Sequence, residues 1–422
     1  MTIKFTTEAN SVFKNEILYT LKIFSNNKSV HFTESENGIE IGTLESSAIP
    51  ISERFISNFL NHNFNASENL NENGFVVFEN GVPDYFSTVF YMLASLQEYN
   101  PALSHDTLNR FEFKNSYQSV LNNGKENIVQ HCFDKIAEQL NIPNQSTPTR
   151  FFLSHDIDTV YESILQDGWN VLKKGRFDIF LKLLFHVAIG KPDWLNMDAI
   201  MKIESEYDCK STFFWIVKKG REEKLKNADY QFSSSKIQNI LQHVERNQFE
   251  NGIHKSVSNS SFKDELKSFQ NTPIANRYHY LKFNLPSGYE AIEEAGLKLD
   301  ASLGFAESIG FRNNYGLPYN PYNLKERRPY SFIELPLHVM DTTLFKYAKA
   351  NVVEAENEIL SFFEKNKQDC VLSVLWHNNF FSNYKYKGYL PLYKKILGYI
   401  KENNFKTINQ KEIIEKYTIT WP

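Results

Sequence analysis

The sequence is short of the features that would fix its class quickly. Only three of its 422 residues are cysteines: Cys132, Cys209 and Cys370. They are widely spaced and odd in number, so neither a disulfide framework nor a CxxC zinc site is expected, and a reducing, cytoplasmic setting fits best. No glycine-rich phosphate loop of either standard spacing occurs, which argues against a nucleotide cofactor. There is no G-x-S-x-G elbow and no H-E-x-x-H motif. Lysine and arginine number 46 against 50 aspartates and glutamates, a net charge of −4, with no basic block. That balance gives no case for nucleic acid or for an anionic membrane. The opening MTIKFTTEAN has no charged segment followed by an apolar run, so no signal peptide is expected. The most membrane-like stretch, FDIFLKLLFHVAIG (177–190), is interrupted by Lys182 and His186. It is shorter than the ~20 residues of a spanning helix. A packed or surface-leaning helix is expected there, and no membrane span.

What the chain does have is apolar and aromatic material, 41% and 15% of its residues, enough for two domains or for one barrel with a module. In residues 1–140, NSVFKNEILYTLKIF sets Phe13, Ile17, Leu21 and Phe24 on one helical face. SVHFTESENGIEIGTL reads as a hairpin turning at Asn37-Gly38. Asp84 is placed to cap a helix bearing Phe86, Val89, Phe90, Leu93 and Leu96. No chemistry-bearing group is gathered in this part, which reads as a smaller α+β domain. NIPNQSTPTR (141–150), with two prolines among polar residues, reads as a linker.

From 151 to 422 the rhythm changes. Seven short apolar runs recur between helical stretches: RFFLS, STFFWIV, FENGIH, NRYHYLKF, LKLDASL, FIELPLHVM and CVLSVLWH. Alternation of this kind predicts parallel βα units. One connecting helix has Ser287 and Glu290 as a capping box and Gly296 at its end.

Polar residues fall at the ends of these runs. Asp156 and Asp158 follow the first, with His155 before them. His254 ends the third, Arg277 and His279 lie in the fourth, Asp300 ends the fifth, Asp341 follows the sixth and His377 ends the seventh. In α/β barrels such ends share one rim, where reacting groups collect. Residues i and i+2 of an extended chain face one side, so Asp156 and Asp158 can enter one pocket. Two carboxylates there call for a cation, with one as ligand and one as free base. The plain alternative is a loop carboxylate beside a helix cap. His254 and His279 are candidate imidazole ligands or hydrogen-bonded structural histidines. Arg277 can pair with a reacting carboxylate or form an ordinary ion pair. His377 can serve as a general acid or be a rim histidine satisfied by Asn378. Asp341 can orient His377 or cap the next helix. Trp215, Tyr280 and Trp376 are mostly core material, with a few rings free to stack on sugars at the rim.

Together SHDIDT, GIHKS and LWHNN resemble the motifs of the polysaccharide deacetylase superfamily (NodB-homology, carbohydrate esterase family four). The resemblance spans about 151–399. RYHYLKFNLP, LDASLGFAESIGFR and ELPLHVMDTTL look like a bacterial subgroup linked to surface-polysaccharide genes, and FYMLASLQEY looks like its N-terminal accessory module. The resemblance implies a distorted (β/α)7 barrel, a divalent metal with zinc foremost, and hydrolytic removal of acetyl groups from an N- or O-acetylated sugar. It makes Asp156 the general base, Asp158 and His254 metal ligands and His377 the general acid. Trp376, Asn378 and Asp341 are taken as substrate-side residues. Two positions depart from the family pattern. Ser258 stands where a second ligand histidine is usual, and His279 stands where the arginine motif usually has proline. His279 is therefore the candidate to supply the missing imidazole. Two other readings are a degenerate barrel that binds glycan or protein, and a hydrolase of non-sugar amides.

Overall fold

The computed structural model describes residues 1–7, 12–43 and 46–421. Asn10 and Ser11 of the first predicted helical stretch, and Leu44 of the predicted hairpin, lie outside the described residues.

The N-terminal part begins with a four-stranded sheet of β1 (Thr2–Thr7), β2 (His31–Glu34), β3 (Ile39–Gly42) and β4 (Ile49–Pro50). Its order is β2-β1-β3-β4 and every pairing is parallel. The expected hairpin at Asn37-Gly38 is therefore wrong. The chain leaves β2 on one side of β1 and crosses to the other side at Phe5, where β3 starts. A Cβ on Gly38 would lie 2.4 Å from the Phe5 backbone, so the glycine is needed for the crossing rather than for a hairpin turn. The helix Lys14–Lys28 buries Phe13, Ile17, Leu21 and Phe24 as its periodicity requires. Asp84 caps the helix Tyr85–Leu93, accepting from the Ser87 amide at 2.8 Å.

The rest is α/β. Its strands are β5 (Arg150–Ile157), β6 (Ser211–Trp215), a hairpin of β7 (Arg221–Glu222) and β8 (Leu225–Lys226), β9 (Glu250–Lys255), β10 (Ala275–Tyr278), β11 (Leu299–Asp300), a second hairpin of β12 (Tyr322–Asn323) and β13 (Arg328–Pro329), then β14 (Ile333–Glu334), β15 (Val339–Met340), β16 (Val371–Leu375) and β17 (Lys406–Thr407). The main sheet runs β14-β11-β10-β9-β6-β5-β16-β15, all parallel, with β17 beside the start of β5. Each of the seven apolar runs contributes to it. FIELPLHVM is split at Pro336, which has no amide to donate. Its first half pairs with β11 and its second with β16, at opposite edges of the sheet. The amide of Leu337 donates to Leu303 O, and that of His338 to Ser373 O. The curled sheet is thus closed by one continuous stretch of chain, which makes a distorted barrel of seven strand positions. The predicted capping box at Ser287 is absent. Ser287 lies inside the helix Ser287–Ala295 and its hydroxyl turns to Asn284, while Gly296 takes the left-handed conformation expected of it (φ 75°).

The N-terminal part packs against the β11–β14 connection through buried polar pairs. Glu98 takes both Nε and Nη2 of buried Arg312, at 2.8 and 2.6 Å. Tyr117 donates to Asn314 and Tyr19 to the carbonyl of Asn320. One continuous apolar cluster includes residues of both parts.

Candidate metal centre

Because the main strands are all parallel, their C-terminal ends meet on one rim, and β5, β9, β10 and β16 bring side chains into one cavity of about 140 Å³ there. Asp156, Asp158, His254, His279 and His377 all line it. β5 ends at Ile157, and the next turn is fixed by Asp229, which accepts the amides of Val160, Tyr161 and Glu162 at 2.7–2.8 Å. That role is the helix-capping task considered for the aspartate pair. Asp158 is free of it and faces the cavity.

His254, on the last turn-in of β9, is buried, and its Nδ1 lies 2.9 Å from the carbonyl of Arg277. β10 stops at Tyr278, short of the predicted span, and His279 opens a tight turn in which Tyr280 and Leu281 both have positive φ, 59° and 52°. Two successive non-glycine residues in that region are strained. The turn aims the His279 ring back at His254, and its Nε2 rests 2.9 Å from the carbonyl of Lys226, in β8. A carbonyl only accepts, so each histidine carries its proton on the nitrogen facing that carbonyl. The other two nitrogens point at each other, 3.1 Å apart. Asp158 Oδ1 completes the group at 3.3 Å from His254 Nε2 and 3.4 Å from His279 Nδ1. It is buried and has no hydrogen-bond partner among the described residues.

Three ligand atoms converge on one point, an arrangement that a shared cation stabilises. Their separations match the edges, about 3.3 Å, of a tetrahedron whose metal bonds are about 2.0–2.1 Å. The residues fit a divalent metal, and two imidazoles with one carboxylate suit zinc. Ser258 does not join them. Its hydroxyl sits between those of Ser256 and Ser260 at 2.7 and 2.6 Å, in a network ending on Glu265.

The surroundings are acidic. Burial alone would raise the Asp158 carboxyl, but the imidazoles of His279 and His254 hold it well below the usual carboxylate range. Burial would lower His254, yet Asp156 and Asp158 beside it raise it overall. Asp156 Oδ1 accepts from Arg277 Nη1 at 2.9 Å, while Oδ2 faces His254 Nε2 at 3.4 Å. Arg277 is fully buried, bonds Ser154 and the carbonyl of Ala301, and lies over the Phe214 ring. On the opposite wall His377 directs Nδ1 at Asp341 Oδ1, 2.8 Å away, leaving Nε2 3.7 Å from Asp158 Oδ2. Burial would depress this imidazole, but Asp341 outweighs it and, with Asp158, pushes it up to about 10.

Four expectations need correction. Asp341 is buried behind His377, holding both its ring and its amide, and is neither on the cavity wall nor a helix cap. Trp376 is fully buried behind the strand, because side chains alternate along it. Asn378 donates to the carbonyls of Thr159 and Trp194 and so ties down the rim. None of these three is a substrate-side group among the described residues. His155 points away from the rim altogether, between Trp376 O and Glu204, by the same alternation.

Among the wall residues, Arg110 was not foreseen, and Tyr280, taken with Trp215 and Trp376 as mostly core, lines the cavity. Arg110, from the N-terminal part, is held by Asp106 and donates to the carbonyl of Tyr280, in the strained turn. The Tyr280 ring lies against that of His279, tilted by 38° with centroids 3.9 Å apart. A lone arginine in DTLNRFEF has no spacing that signals such a contact, and a left-handed tyrosine has no sequence mark.

No protein-family model matches the sequence. No curated protein matches it either. Solved structures similar to part of it include wild-type BA3943, a CE4 family pseudoenzyme from Bacillus anthracis, 10% identical with a TM-score of 0.30, over 65% of this chain and 68% of that one. A BA3943 mutant with restored enzymatic activity is 11% identical at the same TM-score, over 65% and 71%. Likeness this remote carries no argument about fold or chemistry.

Proposed function

We propose that the chain is a metal-dependent hydrolase that removes acetyl groups from an N- or O-acetylated sugar, in bacterial surface-polysaccharide metabolism. The observation that supports this reading most is the meeting of Asp158 Oδ1, His254 Nε2 and His279 Nδ1 between Asp156 on one side and His377 on the other. A divalent cation held by those three atoms would supply Lewis-acid polarisation of the scissile carbonyl.

The chain's own groups divide the remaining work. Arg277 occupies Asp156 Oδ1 and leaves Oδ2 facing the cavity, where it can take the proton of an attacking water. Asp341 fixes the Nδ1 proton of His377, so its Nε2 proton is the one presented to the leaving nitrogen or oxygen. With a pKa near 10, His377 is protonated at neutral pH and serves as an acid, not a base. The cavity is small, so the acetyl group enters and the sugar ring rests at the mouth, beside Tyr280, Tyr347 and Phe380.

The test is acetate release from acetylated amino-sugar oligomers by zinc-supplemented protein, beside Asp156→Asn. Release that depends on Asp156 supports the reading. Binding of the oligomers without release would favour a binding module. Release from small non-sugar amides alone would favour the other hydrolase.

A further inference from the structure

The connection between β5 and β6 contains a helical hairpin, Ser163–Lys173 and Phe177–Ala188, that leaves its apolar side uncovered. Leu165, Trp169, Phe177, Leu181, Leu184, Phe185 and Ile189 are seven of the fifteen exposed large apolar residues among the described residues, so exposure is concentrated here and not scattered. On the second helix, Phe177, Leu181, Leu184, Phe185 and Ile189 share one face, while Leu183 on the opposite face is buried. Leu165 and Trp169, four apart, share a face of the first. Trp169 is 62% exposed.

The border of this face is basic. From 163 to 191 there are five lysines and arginines (Lys173, Lys174, Arg176, Lys182 and Lys191) against two aspartates. Asp167 is buried, accepting from Trp194 and Ser382, and Asp178 is paired with Arg176 at 2.9 Å. Lys236 and Lys385 lie against the flanks, near Gly190 and Gln166. Asp193, beside Lys182 and His186, and Glu162, which accepts from Gln166 and Lys226, are the nearby acids. The chain as a whole is acidic, so composition conceals a local cationic patch that folding assembles.

We propose that this hairpin is an interfacial anchor that lays the protein on an anionic bilayer surface. Aromatic and aliphatic residues on one face, rimmed by lysines, are the pattern of helices that lie in the headgroup layer. Protein interfaces, by contrast, are depleted in lysine. No helix among the described residues is long and apolar enough to cross a membrane, which leaves the in-plane mode. Docking would also bring the cavity mouth to the bilayer. Asn170 donates to the carbonyl of Tyr384, and Ser382 to Asp167, so the hairpin is bound to the loop that follows His377.

The experiment is co-sedimentation of the full chain with phosphatidylcholine vesicles containing about one-third phosphatidylglycerol, against phosphatidylcholine alone. The expected result is partition onto the anionic vesicles, with Trp169 fluorescence quenched by brominated lipid and the quenching lost in Trp169→Phe. Phe177→Ser/Leu181→Ser/Phe185→Ser should weaken partition at least about tenfold. These residues are exposed, so the variant should melt as the parent does. If it does not, Lys173→Glu/Lys182→Glu serves instead and should lose anionic binding severalfold. Failure of the parent to bind anionic vesicles would overturn the proposal, as would binding unchanged in these variants. So would concentration-dependent self-association through this face that vesicles do not disperse.

Discussion

His279 Nδ1 stands 3.1 Å from His254 Nε2, while the other nitrogen of each ring faces a backbone carbonyl. Two ring nitrogens turned to one point beside Asp158 Oδ1 are placed to share a cation there. The strained turn at Tyr280 and Leu281 is retained although positive φ at two such residues costs about 1–3 kcal/mol each. Relaxing it would swing His279 away from His254.

Arg110 holds that turn through the carbonyl of Tyr280 at 2.8 Å. Arg110→Ala is expected to weaken metal affinity by about 10–100-fold, the usual effect of losing support behind a ligand. Arg110→Lys should restore part of it. Calorimetric titration with zinc measures both; unchanged affinity in Arg110→Ala would remove the N-terminal part from the site.

Asp156→Asn should retain bound metal while turnover falls by about 10²–10⁴. A matching loss of metal would make Asp156 a ligand and not a base. Arg277→Met is expected to act differently. It leaves a buried carboxylate without its cation, and the fold should lose about 3–5 kcal/mol in denaturant titration.

Asp341 reaches His377 but not the cavity, so Asp341→Asn should lower kcat with little change in KM. An asparagine can no longer hold the same imidazole proton firmly. A rise in KM alone would instead give Asp341 a direct contact with substrate.

His338 closes the barrel beside Ser373, buried between the rings of Phe311 and Phe362, and burial pushes its imidazole down to about 3. Its folded pKa lies below its unfolded one, near 6.5. The unfolded chain therefore takes up the proton first as pH falls, and stability is lost from about pH 6.5 downward until it levels near pH 3. Between pH 7 and pH 5 the loss should be about 2 kcal/mol. His338→Leu should remove that dependence when urea midpoints are compared at the two pH values; an equal slope in the variant would contradict it.

The seven strand positions were legible because each is a local apolar run, but FIELPLHVM was read as one strand and its split at Pro336 was missed. The aspartate pair and the histidines at strand ends were legible for the same reason, since parallel strands bring their ends to one rim. The misreadings arose where a local signal has two structural uses. Asn37-Gly38 marks a close crossing as readily as a hairpin, and a histidine one residue from a rim position points to the opposite face, as His155 does. Arg110 could not be read at all, and of the hairpin only the surface-leaning helix at 177–190 was read, not its lysine rim. Their meaning comes from segments far apart in sequence, and the net charge of the chain points the other way.

The most direct measurement is the metal content of the purified protein by elemental mass spectrometry after zinc reconstitution, beside Asp158→Asn, His254→Ala, His279→Ala and Ser258→Ala. About one equivalent is expected in the parent and in Ser258→Ala, and loss in the other three. A parent that takes up no metal, or a His279→Ala variant that keeps it while Ser258→Ala does not, would contradict it.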